Sequence, residues 1–148
     1  MKIPSIKKLK LPRLIDAASH LTYKGNTKLS DNNLFYLKID DAFIHRLFPL
    51  LKDESIKKPD YFGEKSAGAH ITICYPEEGV NINKNDLAKE HNFLIDDVVA
   101  TEINQKLYYV LLAQSSSLLQ LRRNYTLPDR LCFKGYSIGF HVTIGVKI

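Results

Sequence analysis

The chain has 148 residues, 45% of them hydrophobic and 25% charged, and a net charge of +5 from 21 basic and 16 acidic residues. That length suits one domain burying roughly two-thirds of its exposable surface, and the apolar and aromatic content excludes a mainly disordered chain. No apolar run approaches the ~18–20 residues that a membrane-spanning helix needs.

The basic surplus is concentrated at one end. Residues 1–13 carry Lys2, Lys7, Lys8, Lys10 and Arg13 and no acid, and the remainder is balanced. This arm reads either as a solubilising tail or as a segment that touches phosphates. It lacks the apolar stretch of a secretory signal. Cys74 and Cys132 make neither a disulfide framework nor a metal spacing. The sequence therefore points to a cytoplasmic protein with reduced thiols, no bound metal and no cofactor.

Residues 34–39 (Leu-Phe-Tyr-Leu-Lys-Ile) read as a strand. Asp40 or Asp41 is placed to cap a helix over about 41–52, which Pro49 bends or shortens. Residues 53–68 are polar, contain Pro59, Gly63 and Gly68, and read as an exposed loop. The run 69–75 alternates polar and apolar residues and ends at Pro76, which predicts a strand. A short helical piece over 85–91 has Asn83 or Asn85 as its cap. Two strands, over about 92–103 and 106–113, turn near Asn104-Gln105. Ser115 to Ser117 cap a helix over about 117–125, closed by Pro128, and a strand over 140–146 follows. Helices interleaved with short strands give an α+β domain.

Three of the five histidines have threonine two places on. Two of these pairs, in Ala69-His70-Ile71-Thr72-Ile73 and Phe140-His141-Val142-Thr143-Ile144, lie on predicted strands that follow predicted helices. Residues i and i+2 of a strand share a face, so His70 and Thr72 point one way, and so do His141 and Thr143. If the two strands are neighbours, two imidazoles and two hydroxyls converge. Imidazole titrates near neutrality, so one ring takes a proton while the other gives one, and the hydroxyls hydrogen-bond phosphate oxygens. The plain alternative is that these are polar strand residues facing water.

The duplicated motif resembles that of the 2H phosphoesterase superfamily, which includes 2′,5′ RNA ligase-like proteins and cyclic nucleotide phosphodiesterases. The likeness extends from residue 34 to the end, with the two histidines 71 positions apart. It implies a two-lobed α+β fold with antiparallel sheets around a central cleft and helices outside. It also implies metal-independent attack on a phosphodiester, with one histidine as base, the other as acid, and Thr72 and Thr143 holding the phosphate. Members commonly continue beyond the second motif, whereas this sequence stops at Ile148. Residues 1–33 are correspondingly extra, a basic extension that packs on or near the 34–148 domain. Residues 18–24, which carry the third pair in His20 and Thr22, are expected to supply a missing strand or to cover the cleft.

Further substrate-binding candidates are Tyr36 and Lys38, on one face of the first strand, with Tyr136 and His20. Arg122 and Arg123 read mainly as a solvated helix face, and Cys74 as a small apolar filler. The absence of GxxxxGK[ST], GxGxxG and HExxH patterns argues against phosphate-loop, dinucleotide and zinc-peptidase chemistry. The expected partner is a nucleotide or short RNA, with no membrane association. The competing expectation is a nucleotide-binding or RNA-binding module without catalysis.

Overall fold

A computed structural model describes residues 1–148. Ten strands and three α-helices follow in order: β1 (Ile6–Lys8), α1 (Pro12–Ala18), β2 (Lys24–Leu29), β3 (Phe35–Lys38), α2 (Ala42–His45), β4 (His70–Cys74), β5 (Glu90–Asn92), β6 (Leu94–Ile103), β7 (Lys106–Gln114), α3 (Ser116–Asn124), β8 (Leu131–Phe133), β9 (Tyr136–Ile138) and β10 (His141–Lys147). The strands form two antiparallel four-stranded sheets, ordered β4-β3-β2-β5 and β1-β6-β7-β10, with β8 and β9 as a separate hairpin. The fold is α+β, with helices packed beside antiparallel sheets.

Local chemistry accounts for the elements that the sequence signals clearly. Asn104 and Gln105 both take positive φ, 51° and 67°, so a tight turn joins β6 to β7 with the twist of its strands. Ser115 caps α3, its hydroxyl accepting from the Leu118 N–H at 3.2 Å. Pro49 lies in a 3-10 turn, Phe48–Leu51, so the helix expected over 41–52 is split after Arg46, as a ring without an N–H requires. The helical piece expected over 85–91 is only a 3-10 turn, Lys84–Asp86, capped by Asn83. Residues 90–92 pair with β2 instead.

One expectation for the N-terminal third is corrected. Residues 18–23 are the end of α1 and a turn rather than a strand, only Lys24 belonging to one, and the added strands lie on either side as β1 and β2. β1 joins the edge of one sheet beside β6, and β2 is an inner strand of the other. β1 has three residues with little apolar alternation, and β2 reads Lys-Gly-Asn-Thr-Lys-Leu. Cross-strand pairing, not pattern, makes them strands.

A continuous core fills the space between the sheets and helices. Leu14 and Ala18 of α1, Phe43 and Ile44 of α2, Leu118 and Leu121 of α3, and Ile71, Ile73, Leu111, Val142 and Ile144 from the strands belong to it. Arg122 is fully buried within this frame. That corrects the expectation of a solvated face for it, because its whole fork is satisfied by partners described below. Arg123 is exposed and pairs with Asp129.

Candidate active site

β4 and β10 are edge strands of different sheets and lie against each other. The alternation that buries Ile71, Ile73, Val142 and Ile144 turns His70, Thr72, His141 and Thr143 toward a common cleft of about 370 Å³. This size is near the lower end of ordinary ligand sites, which run from about 300 to 1,000 Å³.

The two imidazoles are held alike. His70 Nδ1 lies 2.7 Å from the Gly68 carbonyl, and His141 Nδ1 lies 2.9 Å from the Gly139 carbonyl. A carbonyl oxygen only accepts, so each Nδ1 carries the proton and donates it. Each neutral ring therefore keeps the lone pair on Nε2, on the side away from its own backbone. Burial pushes the His70 pKa down to about 4, against the opposing pull of the Gly68 carbonyl, and the His141 and Lys38 charges lower it further. Burial lowers the His141 pKa as well, opposed by its Gly139 carbonyl. Both rings are thus neutral near pH 7 in the free protein.

Aromatic residues that the sequence reading passed over line the same space. Tyr61 packs edge-on against the His70 ring, with centroids 4.9 Å apart. The Tyr61 phenol faces Thr143 and the Tyr75 phenol faces Thr72. Burial raises the pKa of both phenols, so they stay protonated and able to donate. Tyr108 and Phe133 complete the aromatic wall, Phe133 lying 4.8 Å from Tyr75. Tyr61 sits in the loop read as merely exposed, and the one signal there was an aromatic residue amid polar ones. Only Lys65 and Arg130 bring positive charge to the lining. Arg130 is oriented by Ser137, with Nε donating to the hydroxyl at 3.0 Å and Nη2 to the carbonyl at 2.8 Å.

The remaining sequence candidates lie elsewhere. Tyr36 is 8% exposed and supports His70 from beside the cleft, so its ring has no face open for stacking on a base. Lys38 is engaged by Asp41 and by the Ile39 and Ala69 carbonyls, and it braces the chain entering His70 instead of reaching a phosphate. Tyr136 lies on the outer hairpin with Lys2 over its ring. His20 is exposed in the turn after α1. Neither Tyr136 nor His20 lines the cleft, nor does any of the five cations of residues 1–13. Cys74 is buried and its pKa is pushed up to about 11 by that burial, which leaves an unreactive thiol.

Residues 35–148 match the family model described as the Swiss Army Knife, 2H phosphoesterase domain. No curated protein sequence and no solved structure matches the chain. No helix is long and apolar enough to cross a membrane.

Proposed function

The chain belongs to the 2H phosphoesterase superfamily, and from that premise we propose that it is a metal-independent phosphodiesterase acting on a nucleotide or RNA phosphodiester. The observation that carries this reading is the matched pose of His70 and His141 at one cleft, each Nδ1 tied to a carbonyl two residues back. Each Nε2 is thereby the nitrogen left to meet a substrate.

The reaction needs one neutral and one protonated imidazole. The neutral ring takes a proton from the attacking water or ribose hydroxyl. The protonated ring gives one to the departing oxygen. Each such transfer contributes about 10²–10⁴-fold. With a pKa near 4, only about one His70 ring in a thousand is charged at pH 7. The substrate supplies the remedy, because an anionic phosphate beside an imidazole favours its charged form. Binding thus recruits the acid. In this reading Thr72 and Thr143, which neighbour the Tyr75 and Tyr61 phenols, donate to the non-bridging oxygens.

The test is a panel of nucleoside 2′,3′-cyclic phosphates, 2′,5′-linked dinucleotides and cyclic dinucleotides, each incubated with chelator and scored by product. Wild type is expected to cleave one class. The His70→Ala/His141→Ala double variant, still folded, is expected to leave it intact. Full turnover by the double variant refutes the mechanism, and salt-dependent binding without cleavage by wild type favours a non-catalytic binding module.

A further inference from the structure

The N-terminal segment outside the matched family region crosses the cleft and is fixed at both ends. At one end Lys2 bridges to the β8–β9 hairpin. Its N–H donates to the Gly135 carbonyl at 3.3 Å, its own carbonyl accepts from the Ser137 N–H at 2.7 Å, and its ammonium sits 5.9 Å from the Tyr136 ring centroid. At the other end β1 pairs with β6, Ile6 opposite Thr101, and the Ser5 carbonyl accepts from the Thr101 hydroxyl at 3.0 Å. Between these anchors Pro4 is the one buried residue of the first eight. Proline has no N–H to leave unsatisfied when buried. Pro4 and Ile6 both line the cleft.

The sheet order makes this segment a ruler. β10, bearing His141 and Thr143, and β1, bearing Ile6, are the opposite edges of one four-stranded sheet. Three strand spacings separate them, about 14 Å. The face between them is formed by Val99, Thr101 and Ile103 of β6 and Tyr108, Val110 and Leu112 of β7. It is mainly apolar and has no cation of its own. A phosphate held at the two histidines leaves, in that span, room for one uncharged sugar-and-base-sized group. The sheet face itself offers no charge partner for a second phosphate, since the cleft's two cations, Lys65 and Arg130, come from the segments before β4 and β8.

We infer that Lys2–Ile6 acts as a length stop, restricting the substrate to a compact phosphodiester carrying a single nucleoside-sized group and excluding one that continues into an oligonucleotide. This rests on the phosphodiesterase reading for its chemistry. The stop itself is a matter of binding and is measured separately.

Two ligand pairs test it. Turnover is compared on cytidine 2′,3′-cyclic phosphate and on a trinucleotide ending in the same cyclic phosphate. Affinity is compared by calorimetry for cytidine 3′-monophosphate and the matching trinucleotide 3′-phosphate. Wild type is expected to prefer the short member of each pair by about tenfold or more, a discrimination within reach of steric fit. A variant lacking residues 1–5 is expected to bring the ratio within about threefold. A Pro4→Ala/Ile6→Ala variant keeps the backbone pairing, guards against misfolding in the truncation, and is expected to fall between. Equal affinity of wild type for both lengths overturns the stop, and so does an unchanged preference in two folded variants. A preference in affinity that disappears on truncation, with no turnover of these ligands or of any class in the panel above, upholds the stop and refutes the phosphodiesterase reading.

Discussion

Arg122 of α3 and Glu78, just beyond β4, form a buried bidentate ion pair, with Nη2 2.8 Å from Oε1 and Nη1 3.0 Å from Oε2. The guanidinium also donates to the carbonyls of Ile73, Pro128 and Arg130. Glu78 in turn accepts from the Tyr75 and Cys132 N–H groups. One planar fork therefore ties the strand of the first histidine to the helix and hairpin that precede the second. Such forks suit arginine alone, since lysine has neither the plane nor the donors.

Removing Arg122 leaves a buried carboxylate without its counter-charge, held only by two N–H groups, and takes the guanidinium's donors from three carbonyls. Arg122→Met is expected to cost about 3–5 kcal/mol, as for one half of a buried pair, and Arg122→Lys is expected to recover little of it. The double variant Arg122→Met/Glu78→Leu is expected to be more stable than Arg122→Met alone, because no lone charge remains in the interior. Arg123, exposed and paired only with Asp129, serves as control, and Arg123→Met is expected to leave the midpoint unchanged. Urea unfolding checks all four. A midpoint for Arg122→Met equal to that of Arg123→Met overturns the assignment.

The Arg122–Arg123 contrast marks a boundary of what the sequence discloses. Both sit in one helix whose cap and length follow from Ser115 and Pro128, and adjacent helix residues point about 100° apart. Nothing local decides which of the two faces inward. The partners are Glu78 and carbonyls up to 49 positions away. The same holds across the fold. β4, β6, β7 and β10 follow from alternation and turn chemistry, whereas β1, β2, β5, β8 and β9 carry weak patterns and exist through pairing. At the site, the His-x-Thr spacing alone places four polar side chains on outward strand faces. Tyr61 arrives from a long polar loop, and Lys38 turns aside to Asp41, a contact that strand periodicity does not describe.

The two carbonyls that orient the histidines belong to glycines of different kinds. Gly68 has φ of +66°, and a Cβ there would meet the Asp41 carboxylate and the Lys38 ammonium at 2.6 Å, the pair that also holds Ala69. Gly139 has no positive φ, and a Cβ would only touch Arg130 at 3.6 Å. Gly68→Ala is expected to strain the backbone and displace the His70 acceptor, lowering kcat about tenfold or more. Gly139→Ala is expected to change it less than about threefold. Steady-state kinetics on the substrate that wild type cleaves decides this, with near-UV spectra confirming the fold. Equal kinetics in the two variants contradicts the asymmetry.

Burial of neutral histidine also predicts how stability follows pH. An unfolded histidine titrates near 6.5, and folded His70 near 4. As pH falls below about 6.5 the unfolded chain takes up a proton that the folded ring refuses, so stability is lost between about pH 6.5 and 4. His141 is shifted in the same direction. For His70 the loss is at most about 3 kcal/mol. Wild type and His70→Asn, unfolded in urea at several pH values over this window, share their carboxylate titrations, so the difference isolates the ring. The wild-type curve is expected to fall more steeply. Parallel curves refute the neutral, buried state.

The same low pKa makes anion binding take up a proton. In the free protein His70 is neutral at pH 7, and an anion between the rings raises its pKa toward neutrality. A ligand that raises a pKa binds tighter as protons become available, so affinity is expected to rise as pH falls from 7 toward 5. The slope approaches about tenfold per pH unit where one proton is taken up in full. Sulfate serves as probe because its own charge does not change over this range. Titration calorimetry in buffers of different ionisation heat gives both the affinity and the proton uptake. His70→Asn is expected to bind more weakly, with a flatter pH profile. If His141 is the ring that charges, His70→Asn keeps the wild-type slope and His141→Asn loses it, which assigns the acid to the second strand. A sulfate affinity independent of pH in wild type, with no proton uptake, removes substrate-recruited protonation from the mechanism.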